Sequence, residues 1–254
     1  MSFEWLLSGF ASFCAGLIDS VVGGGGLILV PALFATFPAA PPATLLGTNK
    51  CASVWGTLIA GAQYARRVRL HWAVLAPAAG CALAGGLTGA WVVTAVDPAF
   101  MRRLLPVALS AVLAYTLWNR DFGSTHAPRY STKAERAVAC AIGAGVGFYD
   151  GFFGPGTGSF FIFLIVRLLH YDFLHASASA KVLNVATNSA ALLLFAAKGH
   201  VWWQIGLTMA VANVAGSIVG TRLALRHGSV FVRRFFIAVV GALIIKTACD
   251  ALAT

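Results

Sequence analysis

The sequence is poor in charged residues. Of its 254 residues only 10% are Asp, Glu, Lys or Arg, whereas 59% are hydrophobic and the mean hydropathy is +0.83. A soluble domain carries about a quarter charged residues, so this chain has too little polar surface to face water on all sides. The sequence therefore predicts an integral membrane protein. Its longest hydrophilic stretch, residues 119–136, is too short to form a second, soluble domain.

Acidic residues are especially scarce, with 8 Asp and Glu against 18 Lys and Arg and a formal net charge of +10. In a soluble protein this excess would indicate nucleic-acid binding. Here the basic residues lie in short loops between apolar segments, where they contact lipid head groups, so we expect no nucleic-acid partner. If eight spans are counted, alternate loops carry similar numbers of basic residues. They therefore do not reveal which side of the membrane the termini occupy.

Sequence motifs for enzymatic chemistry are missing as well. The chain has no GxSxG, HExxH or P-loop sequence, and its five cysteines form no CxxC pair. We therefore expect a protein that is not an enzyme and that binds neither a cofactor nor a metal. His170, Asp172 and His175 are of metal-ligand types, but we expect them in an exposed loop. The first apolar run has Glu4 and no preceding Lys or Arg, so we expect it to stay in the mature protein.

Apolar segments long enough to span a bilayer, which takes about twenty residues, are abundant. The eight candidates are residues 3–36, 43–64, 71–96, 100–118, 134–168, 174–197, 201–225 and 230–252. The first and the fifth are too long for one upright helix. Each is interrupted near its middle by glycines, GGGG at Gly23–Gly26 and GPGTG at Gly154–Gly158. We predict an all-α polytopic membrane protein with about eight transmembrane helices.

The chain also repeats itself. A shift of 131 residues aligns, without a gap, Asp19 with Asp150, Lys50 with Lys181, Trp72 with Trp203 and Arg102-Arg103 with Arg233-Arg234. Such duplication is typical of secondary transporters. We predict a single transmembrane transporter domain, 1–254, with repeat 1 at about 3–118, a polar linker at 119–133 and repeat 2 at about 134–252. Each repeat has a Gly-rich broken or re-entrant first segment, and both parallel and inverted repeats remain open.

The two glycine-rich breaks are candidates for substrate binding. A helix that stops and restarts exposes unpaired N–H groups and the positive end of its dipole, which is costly in hydrocarbon unless a polar cavity or an anion meets them. Glycine leaves these N–H groups open to close approach. The candidates are Gly23, Gly24, Gly25, Gly26, Gly154, Gly156, Thr157 and Gly158. The alternative is that these glycines only let helices pack closely.

Two lysines, Lys50 and Lys181, lie at equivalent positions near the start of an apolar span. Ionisable residues within spans are functional candidates, and a matched pair suggests a cationic wall for an anion. The alternative is that each lysine reaches the interface from a helix end. Asn49, Asn184 and Asn188 are neighbouring candidates, and the last two, four residues apart, share a helix face.

Two aspartates, Asp19 and Asp150, precede the glycine-rich breaks by four residues. A carboxylate at that depth is a candidate to carry a coupling proton. It could instead pair with Lys50 or Lys181, or cap backbone N–H groups at the break. These roles remain open from the sequence.

The stretches GLIDSVVGGGGLILVPAL, Gly16 to Leu33, and GFYDGFFGPGTGSFFIF, Gly147 to Phe163, resemble the sulfite exporter TauE/SafE family. Together with SAKVLNVATN, Ser179 to Asn188, the second stretch is most similar to the YfcA-like branch. The resemblance extends from Gly9 to Leu252. It implies a multi-pass transporter of the bacterial inner membrane with eight predicted spans. Family members are associated with export of sulfite or of organosulfonates such as sulfoacetate, and the resemblance does not specify the substrate.

We therefore expect a secondary transporter that exports a small sulfur-containing anion, bound between two broken-helix N-termini and two intramembrane lysines. Its partners are this anion and the lipid bilayer, and a homodimer is left open. The alternatives are a transporter of another small solute, or of a cation held by Asp19 and Asp150, and a membrane scaffold without transport activity.

Overall fold

A computed structural model describes residues 3–97, 99–100 and 130–252, which form helices and turns without any strand. The helices are α1 (Phe3–Val22), α2 (Gly26–Thr36), α3 (Pro42–Ala65), α4 (Trp72–Ala95), α5 (Thr132–Phe152), α6 (Thr157–Leu164, extended by a π-helical turn Ile165–Leu169), α7 (Phe173–Ala197) and α8 (Trp203–Leu252). All but the first residue of the predicted span at 100–118, and most of the predicted linker, lie outside the described residues.

The predicted all-α membrane protein is confirmed, with fewer clearly apolar spans than the eight expected. Four described helices are long and apolar enough to cross a bilayer: Glu4–Val22, Trp72–Ala95, Phe173–Ala197 and Trp203–Gly228. Helices α3 and α5 have 24 and 21 residues but are more polar on average. The reason is local, because α3 contains Asn49 and Lys50, and the first turns of α5 contain Lys133, Glu135 and Arg136.

Both predicted long segments divide into two helices at their glycines. Helix α1 ends at Val22 and α2 starts at Gly26, while α5 ends at Phe152 and α6 starts at Thr157. The φ angles of Gly23, Gly154 and Gly156 are +75°, +92° and +79°, a left-handed backbone that residues with a side chain rarely adopt. The glycines therefore end each helix because the chain turns there in a conformation open to them.

Contacts between helices establish their directions. Helices α3 and α7 are antiparallel, because Gly47 at the start of α3 packs against His200 just beyond α7, whereas Gly61 near the end of α3 packs against Lys181. Helices α3 and α8 are parallel, since Cys51 contacts Gly206 and Gly56 contacts Asn213, one turn or more further along both helices.

Helix α1 runs parallel to α8, and α5 runs parallel to α4. Ser12 Oγ donates to the Met209 carbonyl at 2.7 Å, and further along both helices Ser217 Oγ donates to the Gly16 carbonyl at 3.2 Å. In the second pair, Gly143 packs on Ala78 and Gly151 packs on Gly86. Gly86 of α4 packs on Thr187 of α7, and Lys198 just beyond α7 donates to Thr94 near the end of α4, so α4 is parallel to α7. Helices α1, α3 and α8 therefore point one way, whereas α4, α5 and α7 point the other way.

These parallel pairs are held together by close backbone approach. A Cβ atom at Gly89 of α4 would lie 2.0 Å from the Phe148 carbonyl oxygen of α5, and one at Gly216 of α8 would lie 2.0 Å from the Phe13 carbonyl oxygen of α1. Lipid chains are as apolar as leucine, so helices in a membrane associate through such close packing rather than through a hydrophobic driving force.

Replacing Gly89 with Ala should therefore destabilise the protein. The new methyl group would overlap the α5 backbone, and the required shift should cost about 1–3 kcal/mol. Thermal unfolding of the purified protein in detergent measures the effect. Gly80→Ala is the matched control, since nothing lies within 4 Å of a Cβ at this α4 position. It should leave stability unchanged or raise it slightly, and equal losses from both changes would contradict the packing described.

Candidate functional site

Two lysines lie in the interior of the bundle. Lys50 belongs to the third turn of α3 and Lys181 to the third turn of α7, and their side chains are 3% and 0% exposed. A lysine that anchors a helix end extends its ammonium group to the interface. Neither lysine does so here, and each ammonium group is buried among polar side chains.

Each lysine forms an ion pair with an aspartate from the other half of the chain. Lys50 Nζ lies 2.6 Å from Asp150 Oδ1, and Lys181 Nζ lies 2.8 Å from Asp19 Oδ2. Lys181 also donates to the Asp19 main-chain carbonyl. Of the roles that the sequence left open for the aspartates, the structure therefore contains the pairing with lysine.

Amide and hydroxyl groups surround the two ion pairs. Lys50 Nζ donates to Asn188 Oδ1 at 3.0 Å, and Asn188 Nδ2 donates to Asn184 Oδ1 at 3.3 Å, so the two asparagines share a face of α7 as predicted. Thr57 Oγ1 lies 3.4 Å from Asp19 Oδ2. This network continues the polar face of α3 from Lys50 towards Thr57.

The two glycine-rich breaks contact each other beside the ion pairs. Ser159 N donates to the Gly23 carbonyl at 3.1 Å, and its Oγ donates to the Val22 carbonyl at 2.9 Å. A Cβ atom at Gly23 would lie 2.2 Å from the Gly158 carbonyl carbon, and one at Gly158 would lie 2.4 Å from Gly23 Cα. The breaks can cross at this distance only because neither residue carries a side chain.

A small cavity of about 20 Å³ lies between the breaks and the ion pairs. That volume suits about one water molecule and is too small for an ion with three oxygen atoms around a central sulfur. The cavity is lined by Asp19, Gly23, Gly26, Asn49, Lys50, Ser53, Asp150, Gly154, Thr157, Gly158, Asn184 and Asn188.

Most of the predicted site residues therefore meet in one place, but four do not line the cavity: Gly24, Gly25, Gly156 and Lys181. Gly25 packs against Ala15 and the Cβ of Asp19, so its role is close packing with α1. Gly156 has the left-handed conformation that lets α6 begin. Lys181 reaches the site through Asp19, whose side chain does line the cavity.

The cavity offers both donors and acceptors. Gly26 and Gly158 border it, and the N–H group of neither donates a backbone hydrogen bond within the part of the chain described. Asn49 Oδ1 and Asp150 Oδ2 are buried acceptors without a hydrogen-bond partner among the described residues. A side-chain amide rotated by 180° presents its NH₂ group at the same position, so Asn49 can supply either function.

Sequence reasoning missed several residues of this region. Thr57 was detectable, because it lies seven residues after Lys50 and four after Ser53, on the same helix face. The Tyr149 hydroxyl donates to the Pro155 carbonyl at 2.6 Å, which no spacing in the sequence indicated. The expectation for Asp172 was wrong: its buried carboxylate accepts from the backbone N–H groups of Leu174 and His175 and caps α7. No group of three metal-ligating side chains occurs among the described residues.

The chain is similar in sequence to known proteins. The family model described as sulfite exporter TauE/SafE matches residues 8–247. The chain belongs to the sulfite exporter TauE/SafE family. As a member of this family it is a membrane protein of a transporter class, as the sequence resemblance implied.

Relatives of this TauE/SafE protein carry general names. It is 35% identical to a probable membrane transporter protein, ORF9, of Sinorhizobium sp. over 240 residues, which cover 94% of this chain and 90% of the relative. It is 34% identical to the probable membrane transporter protein YfcA of Escherichia coli K12, covering 95% and 88%. A probable membrane transporter protein of Haemophilus influenzae is 33% identical, covering 87% and 85%. No solved structure matches.

The ion pairing between the two halves of the TauE/SafE protein can be tested by removing the partners singly and together. Lys50→Met should destabilise it by about 3–5 kcal/mol, because Asp150 is left buried without its counter-ion. Adding Asp150→Leu should restore most of the stability. Thermal unfolding in detergent measures all variants. Asp19→Leu is the matched control, which should lower stability further because it breaks the second pair, and rescue by this change would contradict the observed pairing.

Proposed function

We propose that this protein is a secondary transporter that exports a small sulfur-containing anion, such as sulfite or an organosulfonate, across the bacterial inner membrane. One observation carries the proposal: each buried lysine already holds an oxyanion group, the carboxylate of Asp150 or Asp19, at 2.6 and 2.8 Å. A sulfite or sulfonate oxygen offers the ammonium group the same kind of charged acceptor. The family description, which names sulfite export, agrees with this class of substrate.

We further infer that the two halves are inverted repeats. Helices α2, α3 and α4 begin at Gly26, Pro42 and Trp72, and α6, α7 and α8 begin 131 residues later. Equivalent helices point in opposite directions, and equivalent contacts recur: Gly16 packs on Asn213, as Gly147 packs on Ala82. Inverted repeats with broken helices at the membrane centre are typical of secondary transporters, which alternate by moving one half against the other.

We also infer that α2 and α6 are re-entrant. Helices α1 and α3 point in the same direction, so the chain must return between them. Helix α2, with 11 residues and a length of about 16 Å, is too short to cross the bilayer and suits a partial return. Helix α6 has the equivalent position between α5 and α7, which also share a direction.

Substrate binding would replace the internal carboxylates. Two lysines and two aspartates make the closed site neutral, and an added anion would leave a buried excess of negative charge, which is costly. The anion therefore binds as a carboxylate leaves its lysine. The amides of Gly26 and Gly158 and the side chains of Asn49, Asn184 and Asn188 would then hold its remaining oxygen atoms. Because the cavity measures only about 20 Å³, binding also requires the two halves to separate.

A released carboxylate needs a new partner. Asp19 and Asp150 lie within the bundle, and the charge of a carboxylate without its lysine is neutralised most simply by a proton. An anion and a proton would then enter the site together, with the proton on the displaced aspartate. This makes Asp19 and Asp150 the candidates for coupling transport to proton movement.

A cation transporter is the second candidate function. Asn49 Oδ1 and Asp150 Oδ2 are buried acceptors without a partner among the described residues, and such oxygen atoms are cation ligands. Against this reading, Asp150 and Asp19 each already form an ion pair with a lysine. A cation would have to displace both ammonium groups or bind where their charge repels it.

Lys181→Met should abolish substrate binding. Sulfite, sulfate, thiosulfate, sulfoacetate and chloride are added in turn to the protein in detergent, and the melting temperature is measured. A ligand at 100 times its Kd stabilises the folded state by about 2.7 kcal/mol, so one sulfur oxyanion should raise the melting temperature of the wild type but not of Lys181→Met. Lys198→Met is the matched control on α7, since Lys198 is exposed and donates to Thr94 instead.

If Lys181→Met does not fold, Lys181→Met with Asp19→Leu removes the whole ion pair and is tested in its place. Stabilisation of that variant by sulfite would contradict the assignment. Stabilisation of the wild type by sodium or another cation, with no response to any anion, would favour the second candidate function.

Asp19→Asn should separate anion binding from proton movement. The amide keeps the size of the side chain but cannot accept the proton at its former carboxylate. We expect sulfite still to stabilise the variant, whereas the proton flux per sulfite, measured with a pH-sensitive dye inside proteoliposomes, should fall. Asp172→Asn is the control, because Asp172 caps α7 outside the site. An unchanged proton flux in both Asp19→Asn and Asp150→Asn would contradict coupling through these residues.

A further inference from the structure

A second, larger cavity of about 830 Å³ opens where α3 ends, away from the ion pairs. Four arginines line it, two from the end of α3 and two from α8, together with Gln63 and apolar residues of α3, α7 and α8. We call it the arginine cavity, and its arginines are Arg66, Arg67, Arg222 and Arg226.

The charges of the arginine cavity are not balanced by the described protein. No described carboxylate lies within 4.0 Å of any of the four guanidinium groups. The two described acids at this end of the bundle are engaged elsewhere. Glu135 accepts from the Tyr171 hydroxyl and lies 3.3 Å from His71 Nδ1, and Asp172 caps α7 and contacts His175. Burial is the larger cause, and the hydrogen bond to Glu135 the smaller one, of a raised pKa of the Tyr171 hydroxyl, which therefore stays protonated.

At the opposite end of the bundle, three of the four described equivalent positions are uncharged. The positions 131 residues away from the four arginines are Ala197, Lys198, Trp91 and Ala95. The backbone of the two ends is built from equivalent helices, so the difference lies in the side chains alone. At these equivalent positions one end therefore presents four arginines, and the other presents one lysine, which donates to Thr94.

Helix directions now orient the protein in the membrane. Among the described basic residues outside the site, up to the bend at Gly228, one end of the bundle carries Arg66, Arg67, Arg69, Lys133, Arg136, Arg167, Arg222 and Arg226. The other end carries Lys198. Excess Lys and Arg marks the cytoplasmic side, so the arginine cavity faces the cytoplasm. Counting the basic residues in loops between eight complete spans does not reveal this asymmetry, because it treats α2 and α6 as parts of complete crossings.

The arginine cavity lies nearer to one of the two ion pairs than to the other. Arg66 follows α3 directly, and Thr57, which lies beside Asp19, is nine residues or about 14 Å back along that helix. Lys50, paired with Asp150, lies a further seven residues or about 10 Å away. The Lys181–Asp19 pair is therefore nearer the cytoplasm. Tyr64, near the end of α3, is fully buried and donates to the carbonyl of Ser20, the residue after Asp19.

We propose that the arginine cavity is the cytoplasmic entry site for the transported oxyanion, which binds there before it reaches the Lys181–Asp19 pair. The inference rests on the proposed function. Four uncompensated guanidinium groups raise the local concentration of anions, and each can hold two oxygen atoms of a sulfite or sulfonate group. The ligand class is thus a small oxyanion, and the site serves capture rather than the central step.

The test compares sulfite uptake into inside-out membrane vesicles, where the cavity faces the added substrate. In Arg66→Gln with Arg222→Gln the KM should rise about tenfold at low salt, with kcat unchanged, because capture is weakened and the central site is intact. The KM of the wild type should rise towards the same value as salt is increased from 0.01 to 0.1 M, since the screening length falls from about 30 to about 10 Å.

Arg69→Gln is the matched control, an arginine on the same surface and outside the cavity. Its KM should stay within about twofold of the wild type. An equal rise in KM for this control, or no rise in the cavity variant, overturns the entry site. The wild type and the Lys181→Met variant together separate the two proposals. If the wild type carries no sulfite, the proposed function itself fails. If Lys181→Met reduces sulfite uptake and the cavity variant does not, the entry site alone is wrong.

A lipid phosphate is the competing occupant of such an arginine cluster. The purified cavity variant and the wild type are therefore also compared in proteoliposomes of phosphatidylcholine, with and without phosphatidylglycerol. An increase in KM that persists in phosphatidylcholine alone supports capture of the substrate. A difference that occurs only with phosphatidylglycerol assigns the cavity to a lipid head group and overturns the inference.

Discussion

The two ion pairs between Lys50 and Asp150 and between Lys181 and Asp19 are the constraint on which the rest of the structure depends. A charge buried in a membrane protein is tolerated when an opposite charge lies beside it. Since each lysine lies in one half and its aspartate in the other, neither half can bury its own charges alone. The halves must therefore associate closely enough for both pairs to form at once.

That requirement accounts for the glycines around the site. The breaks approach most closely where Gly23 meets Gly158, and the flanking pairs α1–α8 and α4–α5 approach through glycines such as Gly89 and Gly216. A larger side chain at any of these positions would hold the halves apart and lengthen the ion pairs. The same tight association leaves a cavity of about 20 Å³, so stability of the closed form and entry of a substrate oppose each other.

Much of this was predictable from the sequence, because the 131-residue register matched both lysines, both aspartates and both breaks. The membrane class, the helix breaks and the α7 face with Asn184 and Asn188 follow from composition and spacing alone. The partners within the site do not, since an internal repeat identifies equivalent residues and says nothing about which of them touch. Likewise, Gly25 and Gly26 are indistinguishable in a run of four glycines, yet one packs on Ala15 and the other borders the cavity.

The described basic residues distinguish the two ends of the helix bundle. In the inverted-repeat arrangement that we infer, equivalent helices lie on both sides of the central site, and each ion pair joins one lysine to one aspartate. Among the described residues the side chains at the two mouths differ, with Arg66, Arg67, Arg222 and Arg226 on one side and Lys198 on the other. In the export that we propose, an anion would be drawn to the arginine mouth, and the membrane potential, negative inside, would drive it outward once it is bound. Capture on one side and release on the other then require no difference between the two halves of the central site.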